Sequence, residues 1–85
     1  MSPDAVLAAV QRAVGVVLEL PPTAVTRQAR FRDDLAADSL ALVEIVEIVQ
    51  RDLAAQAGPG FHLDDQDLDA LATVGDAVDY VVGRA

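Results

Sequence analysis

Cysteine is absent from this 85-residue chain, which excludes disulfides, thiolate metal sites and a cysteine nucleophile. The same absence leaves the redox compartment open, though a reducing cytosol fits. Histidine occurs once, as His62, and one imidazole makes no metal site; it reads as an ordinary loop residue. Basic residues are scarce: six against 14 acids, for a formal net charge of −8. Phosphate backbones are bound by clustered Lys and Arg, so nucleic acid is excluded as a partner. An acidic surface steers basic proteins toward it, and it also serves plain solubility. No uninterrupted apolar run reaches membrane-spanning length, and the start Met-Ser-Pro-Asp lacks the basic region and cleavage site of a signal peptide. A soluble, cytoplasmic, monomeric protein with no membrane partner is expected.

What is present is apolar. Hydrophobic residues make up 53% of the chain, which argues against acid-driven disorder. The length predicts a single domain over 1–85, with a small core that can suffice without staples.

Ser2-Pro3-Asp4 reads as a helix start, with Ser2 as N-cap, Pro3 in the first turn and Asp4 at the positive end of the dipole. Val6, Leu7, Val10, Val14, Val17 and Leu18 follow at helical spacing, and Pro21-Pro22 stops the helix, which is placed at about 3–19. Residues 20–38 form a long connection, with a possible single turn at Thr23-Ala24-Val25 and with Phe31 and Leu35 as core anchors. A second helix is predicted over about 39–55, capped by Asp38. At about 100° per residue, Leu42, Ile45, Val46, Val49 and Leu53 face the core. Leu40, Glu44, Glu47 and Arg51 gather opposite, with Ile48 at the edge, so the outer face is acidic with apolar members. Gln56-Ala57-Gly58-Pro59-Gly60 breaks this helix, and Phe61 and Leu63 return the chain to the core. A short helix is predicted over 64–71. A last helix opens on a Thr73-to-Asp76 capping box, buries Val74, Ala77, Val78, Val81 and Val82, and stops at Gly83. No strand alternation or repeat is present. The fold class is all-α: three main helices plus a minor one.

Ser39 is the residue that needs explaining. Asp38-Ser39-Leu40 places a hydroxyl at a helix start, beside a carboxylate. A hydrolase nucleophile is poorly supported: Gly-x-Ser-x-Gly is missing, and His62 has no reason to reach the serine. Simple capping is a second reading, although Asp38 already holds the capping position. The third reading is covalent attachment of a phosphate-linked group, since an anion there would meet free amides and the helix dipole.

The run Phe31-Arg32-Asp33-Asp34-Leu35, then Asp38-Ser39-Leu40 and Val43-Glu44-Ile45-Val46, closely resembles the acyl carrier proteins. The similarity resumes at Leu63-Asp64-Asp65 and at Thr73-Val74-Gly75-Asp76-Ala77-Val78-Asp79-Tyr80-Val81. The resemblance implies a four-helix bundle with a short third helix, a long loop between the first two helices, and no catalysis by the chain itself. It implies that Ser39, with Asp38 beside it, receives 4′-phosphopantetheine from coenzyme A through a phosphopantetheinyl transferase. The arm would hold acyl or related carboxylic groups as thioesters for an acyltransferase, a ketosynthase or an acyl or aminoacyl ligase. By position, Leu40, Glu44, Glu47 and Ile48 would dock basic and apolar patches on those partners. Phe31, Ile45, Val46, Val49, Leu63, Leu68, Leu71 and Val74 are candidates for lining an acyl pocket, and each also suits ordinary core packing.

Several positions depart from the family's pattern. Ala36 stands where glycine is usual, Ala41 and Gln50-Arg51 stand where acids are common, the 54–62 segment is longer, and Asp64 replaces a frequent proline. These differences fit a specialised carrier of a polyketide or other secondary pathway, with fatty-acid synthesis also open. A peptidyl or aminoacyl carrier is a near alternative, although Gly-Gly-x-Ser is absent. An acidic interaction domain with a bare Ser39 is the alternative from another class. Asp65, Asp67, Asp69 and Asp76 mimic a calcium loop, but Ala70 holds the position where the sharp turn needs glycine, so no metal is assigned.

Overall fold

The computed structural model describes residues 1–84. Its first helix, α1, spans Pro3–Leu18, and the Ser2 hydroxyl accepts from the Ala5 amide at its start. The end lies one residue earlier than the sequence reading. Glu19 takes the left-handed conformation (φ 59°) and donates its N–H to the Gly15 carbonyl at 3.0 Å. Pro21 biases Leu20 toward extended backbone, so the reversal falls on Glu19. A 3-10 turn at Pro22–Ala24 matches the expected single turn with a one-residue offset.

Helix α2 spans Ser39–Ala57, two residues beyond the expected end. Only at Gly58, with φ 87°, does the backbone adopt a conformation that favours glycine and ends the helix. Asp65–Ala70 forms the short third helix, with 3-10 geometry. Helix α3 spans Val74–Arg84. The capping box forms as expected: Asp76 N–H donates to Thr73 Oγ1, and Asp76 Oδ2 accepts from the Thr73 and Ala72 amides, each at 3.1 Å. Gly83 does not stop this helix. Arg84 holds the last turn in place because its guanidinium donates to Asp64 (3.1 Å) and Asp67 (2.8 Å) and lies 5.3 Å from the Tyr80 ring centre.

α1 packs against both α2 and α3, and the short third helix packs against α2. The core they share is wholly apolar; among the described residues no polar or charged side chain is buried. It contains Val6, Val10 and Val14 of α1, the five expected residues of α2, and Val74, Ala77, Val78 and Val81 of α3. Leu7, Val17, Leu18 and Val82 only border it.

The long connection is anchored at more points than its two large apolar residues suggest. Val25, Ala29 and Ala37 are buried along with Phe31 and Leu35. Backbone bonds then clamp it to the approach to α3: Phe31 N–H to Ala72 O at 3.0 Å, Val74 N–H to Ala29 O at 2.9 Å, and Gly75 N–H to Arg27 O at 2.8 Å. A β-carbon at Gly75 would lie 3.0 Å from that carbonyl, so any larger residue here would press the connection back by a few tenths of an ångström. Arg30 and Thr73 form an isolated antiparallel bridge, the one extended pairing among the described residues.

Asp64, just before the third helix, and Asp67 within it act as ties rather than side-chain caps. Tyr80 Oη donates to Asp67 at 2.8 Å and accepts from the Asp64 amide at 2.9 Å, and His62 Nε2 lies 2.9 Å from Asp64. Partial burial first, then the bond to Asp67, raises the Tyr80 pKa above its ordinary value. A folded-state pKa that lies above the unfolded one contributes stability below about pH 10, and that contribution is lost as pH rises through the raised value. Tyr80 is the only tyrosine, so absorbance at alkaline pH reads it alone. The folded chain should titrate at higher pH than the urea-unfolded chain, and coincident curves would contradict the Asp67 tie.

Candidate functional site

The site is built at the junction of the long connection and α2. Leu35 is buried at 6% exposure and its N–H donates to the Arg30 carbonyl, while Ala37 N–H donates to Phe31 O at 2.7 Å. Closing this loop puts Ala36 in the left-handed region at φ 55°. That explains why glycine suits the position. Left-handed backbone costs a residue with a β-carbon roughly 1–2 kcal/mol, and glycine's greater freedom when unfolded offsets about 0.5–1 kcal/mol of the relief. Ala36→Gly is therefore expected to raise Tm by a few degrees, since a domain of this size shifts by about 4–8 °C per kcal/mol. Thermal unfolding followed by circular dichroism would show it; a lower Tm would refute the strain.

Asp38 caps α2 as the sequence predicts. Its Oδ1 accepts from the Ala41 amide at 2.8 Å, and its carbonyl accepts the first helical bond from Leu42 at 3.0 Å. Ser39 is the first residue of α2 and is exposed. Its hydroxyl is not spent on capping. Oγ instead accepts a hydrogen bond from Arg32 Nη2 at 2.8 Å. Arg32 is the residue sequence reasoning passed over. The available signal was a cation seven residues before the serine, inside the same acidic run.

His62 lies in the loop after α2 and pairs with Asp64 rather than with Ser39, and the carboxylate beside the serine, Asp38, is spent on the helix cap. Asp67 and Asp76, two of the four acids that imitate a calcium loop, are each engaged in the bonds described above.

Along α2, Leu40 stands 68% exposed, and Glu44, Glu47 and Arg51 are exposed with it. Ile48 is not fully part of this outer face: it is half-buried and packs on the core. Gln50 does not face outward either, because its side-chain oxygen accepts from the Leu63 amide at 2.9 Å and ties the following loop to α2. Phe31, Ile45, Val46, Val49, Leu63, Leu68, Leu71 and Val74 all belong to one buried cluster. Leu71 also borders an open concavity of about 230 Å³ shared with Arg30, Arg32, Asp33, Asp69 and Ala72.

A protein-family model described as a phosphopantetheine attachment site matches residues 8–81. An acyl carrier protein of Acidothermus cellulolyticus is 35% identical over 81 residues, covering 95% of this chain and 89% of the relative. One from Thermotoga maritima is 34% identical over 80 residues, covering 94% and 91%. Among solved structures, the acyl carrier protein of Enterococcus faecalis superposes with a TM-score of 0.73 at 30% identity, covering both chains completely.

Proposed function

The chain belongs to the acyl carrier protein family, and we propose that Ser39 is the residue that bears its 4′-phosphopantetheine. The observation that carries this is the Ser39 hydroxyl: exposed at the first position of α2, released from capping by Asp38, and met by a guanidinium. These residues fit a phosphodiester. The chain supplies a free oxygen to esterify, a cation beside it and the unpaired amides of a helix start. Once attached, the group supplies a thiol that holds an acyl cargo as a thioester. The chain's own part is non-catalytic: to present Ser39 on a rigid corner and to keep the surrounding surface recognisable.

Phosphopantetheinyl transferase and acyl-handling enzymes are the partners of the family. Leu40, Glu44 and Glu47 give this chain an acidic face with one exposed apolar contact, suited to weak docking on basic patches; half-buried Ile48 adds its outer edge. The apolar cluster from Phe31 to Val74 would shelter a cargo only by parting side chains that now touch, at a gain of about 0.8 kcal/mol per buried methylene. The reduced acidity around Ala41 and Arg51 favours a specialised carrier, of polyketide type, over a general fatty-acid carrier. One domain over 1–85, acting as a monomer in the cytoplasm where coenzyme A is met, completes the reading.

The test is intact-mass measurement after incubation with coenzyme A and a broad-specificity transferase. One added phosphopantetheinyl group supports the reading; an unchanged mass overturns it. Mass spectrometry of the thioester on chain purified from its own source then separates polyketide, fatty-acid and aminoacyl cargoes.

A further inference from the structure

We propose that Arg32 grips the phosphodiester of the attached arm and so sets the direction in which the arm leaves Ser39; this rests on Ser39 being the attachment residue. Three carboxylates lie within the same short stretch, and each has another partner. Asp33 pairs with Arg30 at 3.6 Å. Asp34 Oδ2 accepts the Arg30 amide at 2.8 Å. Asp38 caps α2 through the Ala41 amide. Of the six arginines, Arg27, Arg30, Arg51 and Arg84 pair with an acid and exposed Arg12 lies away from this corner on α1, whereas Arg32 turns its Nη2 to a neutral hydroxyl, Ser39 Oγ, at 2.8 Å.

Attachment changes the chemistry at that oxygen. Coenzyme A is the donor: Ser39 Oγ gives up its proton and bonds to the phosphorus on the pantetheine side, the pyrophosphate P–O bond breaks, and 3′,5′-ADP leaves with the bridging oxygen. Oγ becomes a weak ester acceptor, and the new phosphodiester carries two non-bridging oxygens that share a negative charge. A guanidinium carries a planar fork of donors matched to such oxygens. Arg32 already reaches the atom to which they are bonded, so the contact strengthens from a bond to a neutral acceptor into a charge-assisted one without a change of fold. Arg32 also borders both open concavities at this corner. One is lined with Arg30, Asp33, Asp69, Leu71 and Ala72, the other with Ala36, Ala37 and Asp38. A phosphodiester held by Arg32 starts the arm between them rather than free in solvent.

The experiment compares the unmodified and phosphopantetheinylated forms of the natural chain, Arg32→Gln and Arg32→Lys by urea unfolding. Modification is expected to favour folding of the natural chain over Arg32→Gln by about threefold to fivefold at low salt, the size of an exposed charge-assisted pair. Arg32→Lys should keep part of that difference, because it retains the charge without the fork. The difference should fade near 1 M salt, where screening acts over about 3 Å. In parallel, the Arg32 side-chain N–H signal should move on modification, which a merely structural arginine would not show. If all three chains accept the group and modification affects their stability equally, attachment at Ser39 stands and the role of Arg32 is overturned. If the natural chain accepts no group, both readings fall.

Discussion

Ser39→Ala is expected to gain no mass on incubation with coenzyme A and a broad-specificity transferase, under conditions that modify the natural chain completely. The substitution removes the one oxygen that can be esterified at this corner, so the effect is all or none. It should leave the fold intact. The cap of α2 is Asp38, whose carboxylate accepts the Ala41 amide, and alanine is a good helix former at the first position. The lost contact is one exposed hydrogen bond from Arg32, and solvent-exposed contacts of a charged side chain contribute only about 0.2–1 kcal/mol. Circular dichroism and Tm therefore serve as controls. A folded Ser39→Ala chain that still gains the group would move the attachment to another hydroxyl, and Ser2, Thr23, Thr26 and Thr73 are the others besides Tyr80. Two of these, Ser2 and Thr73, are occupied in caps.

The asymmetry between Ser39 and its neighbours shows which features of this protein can be read from sequence. Helix faces were legible because they repeat: the five α2 residues expected inside are the five found there. Caps were legible because they are local, as with Ser2, Asp38 and the Thr73–Asp76 box. The ends set by distant partners were not. Gly83 reads as a stop until Asp64 and Asp67 are known to hold Arg84, some twenty residues away in sequence. Gln50 reads as one more outward polar residue of α2 until the Leu63 amide is found against it. The same limit hid Arg32, whose partner is determined by a loop closed through backbone bonds and a left-handed Ala36, none of which has a periodic signature. Ala36 itself was visible as an anomaly of type, and the structure turns that anomaly into a backbone angle.

Glu44→Lys with Glu47→Lys is expected to slow both phosphopantetheinylation and later acyl transfer, by about tenfold or more in kcat/KM at low salt. Both residues are exposed on α2, and the pair of reversals halves a formal net charge of −8. Steering by complementary fields changes association rates by about 10- to 1000-fold, and rim charges act mainly on association. The effect should shrink as salt is raised, since exposed charges are screened within about 10 Å at 0.1 M. The neutral pair Glu44→Gln with Glu47→Gln should fall between, which separates field from contact. Folding should survive, because neither glutamate caps the helix or carries an ion pair among the described residues. The closest added strain is Lys at 47 against Arg51, one helical turn on, a like-charge pair worth about 0.2–0.5 kcal/mol. Arg51 itself leans toward Asp52, at 3.8 Å, which softens even that. Leu40→Ala then probes the apolar half of the same face: it removes a side chain that is 68% exposed, so stability should hold while partner binding weakens independently of salt. If the charge reversals leave the rates unchanged across salt while Leu40→Ala lowers them, partners read this corner through its apolar contact and the acids of α2 serve solubility alone.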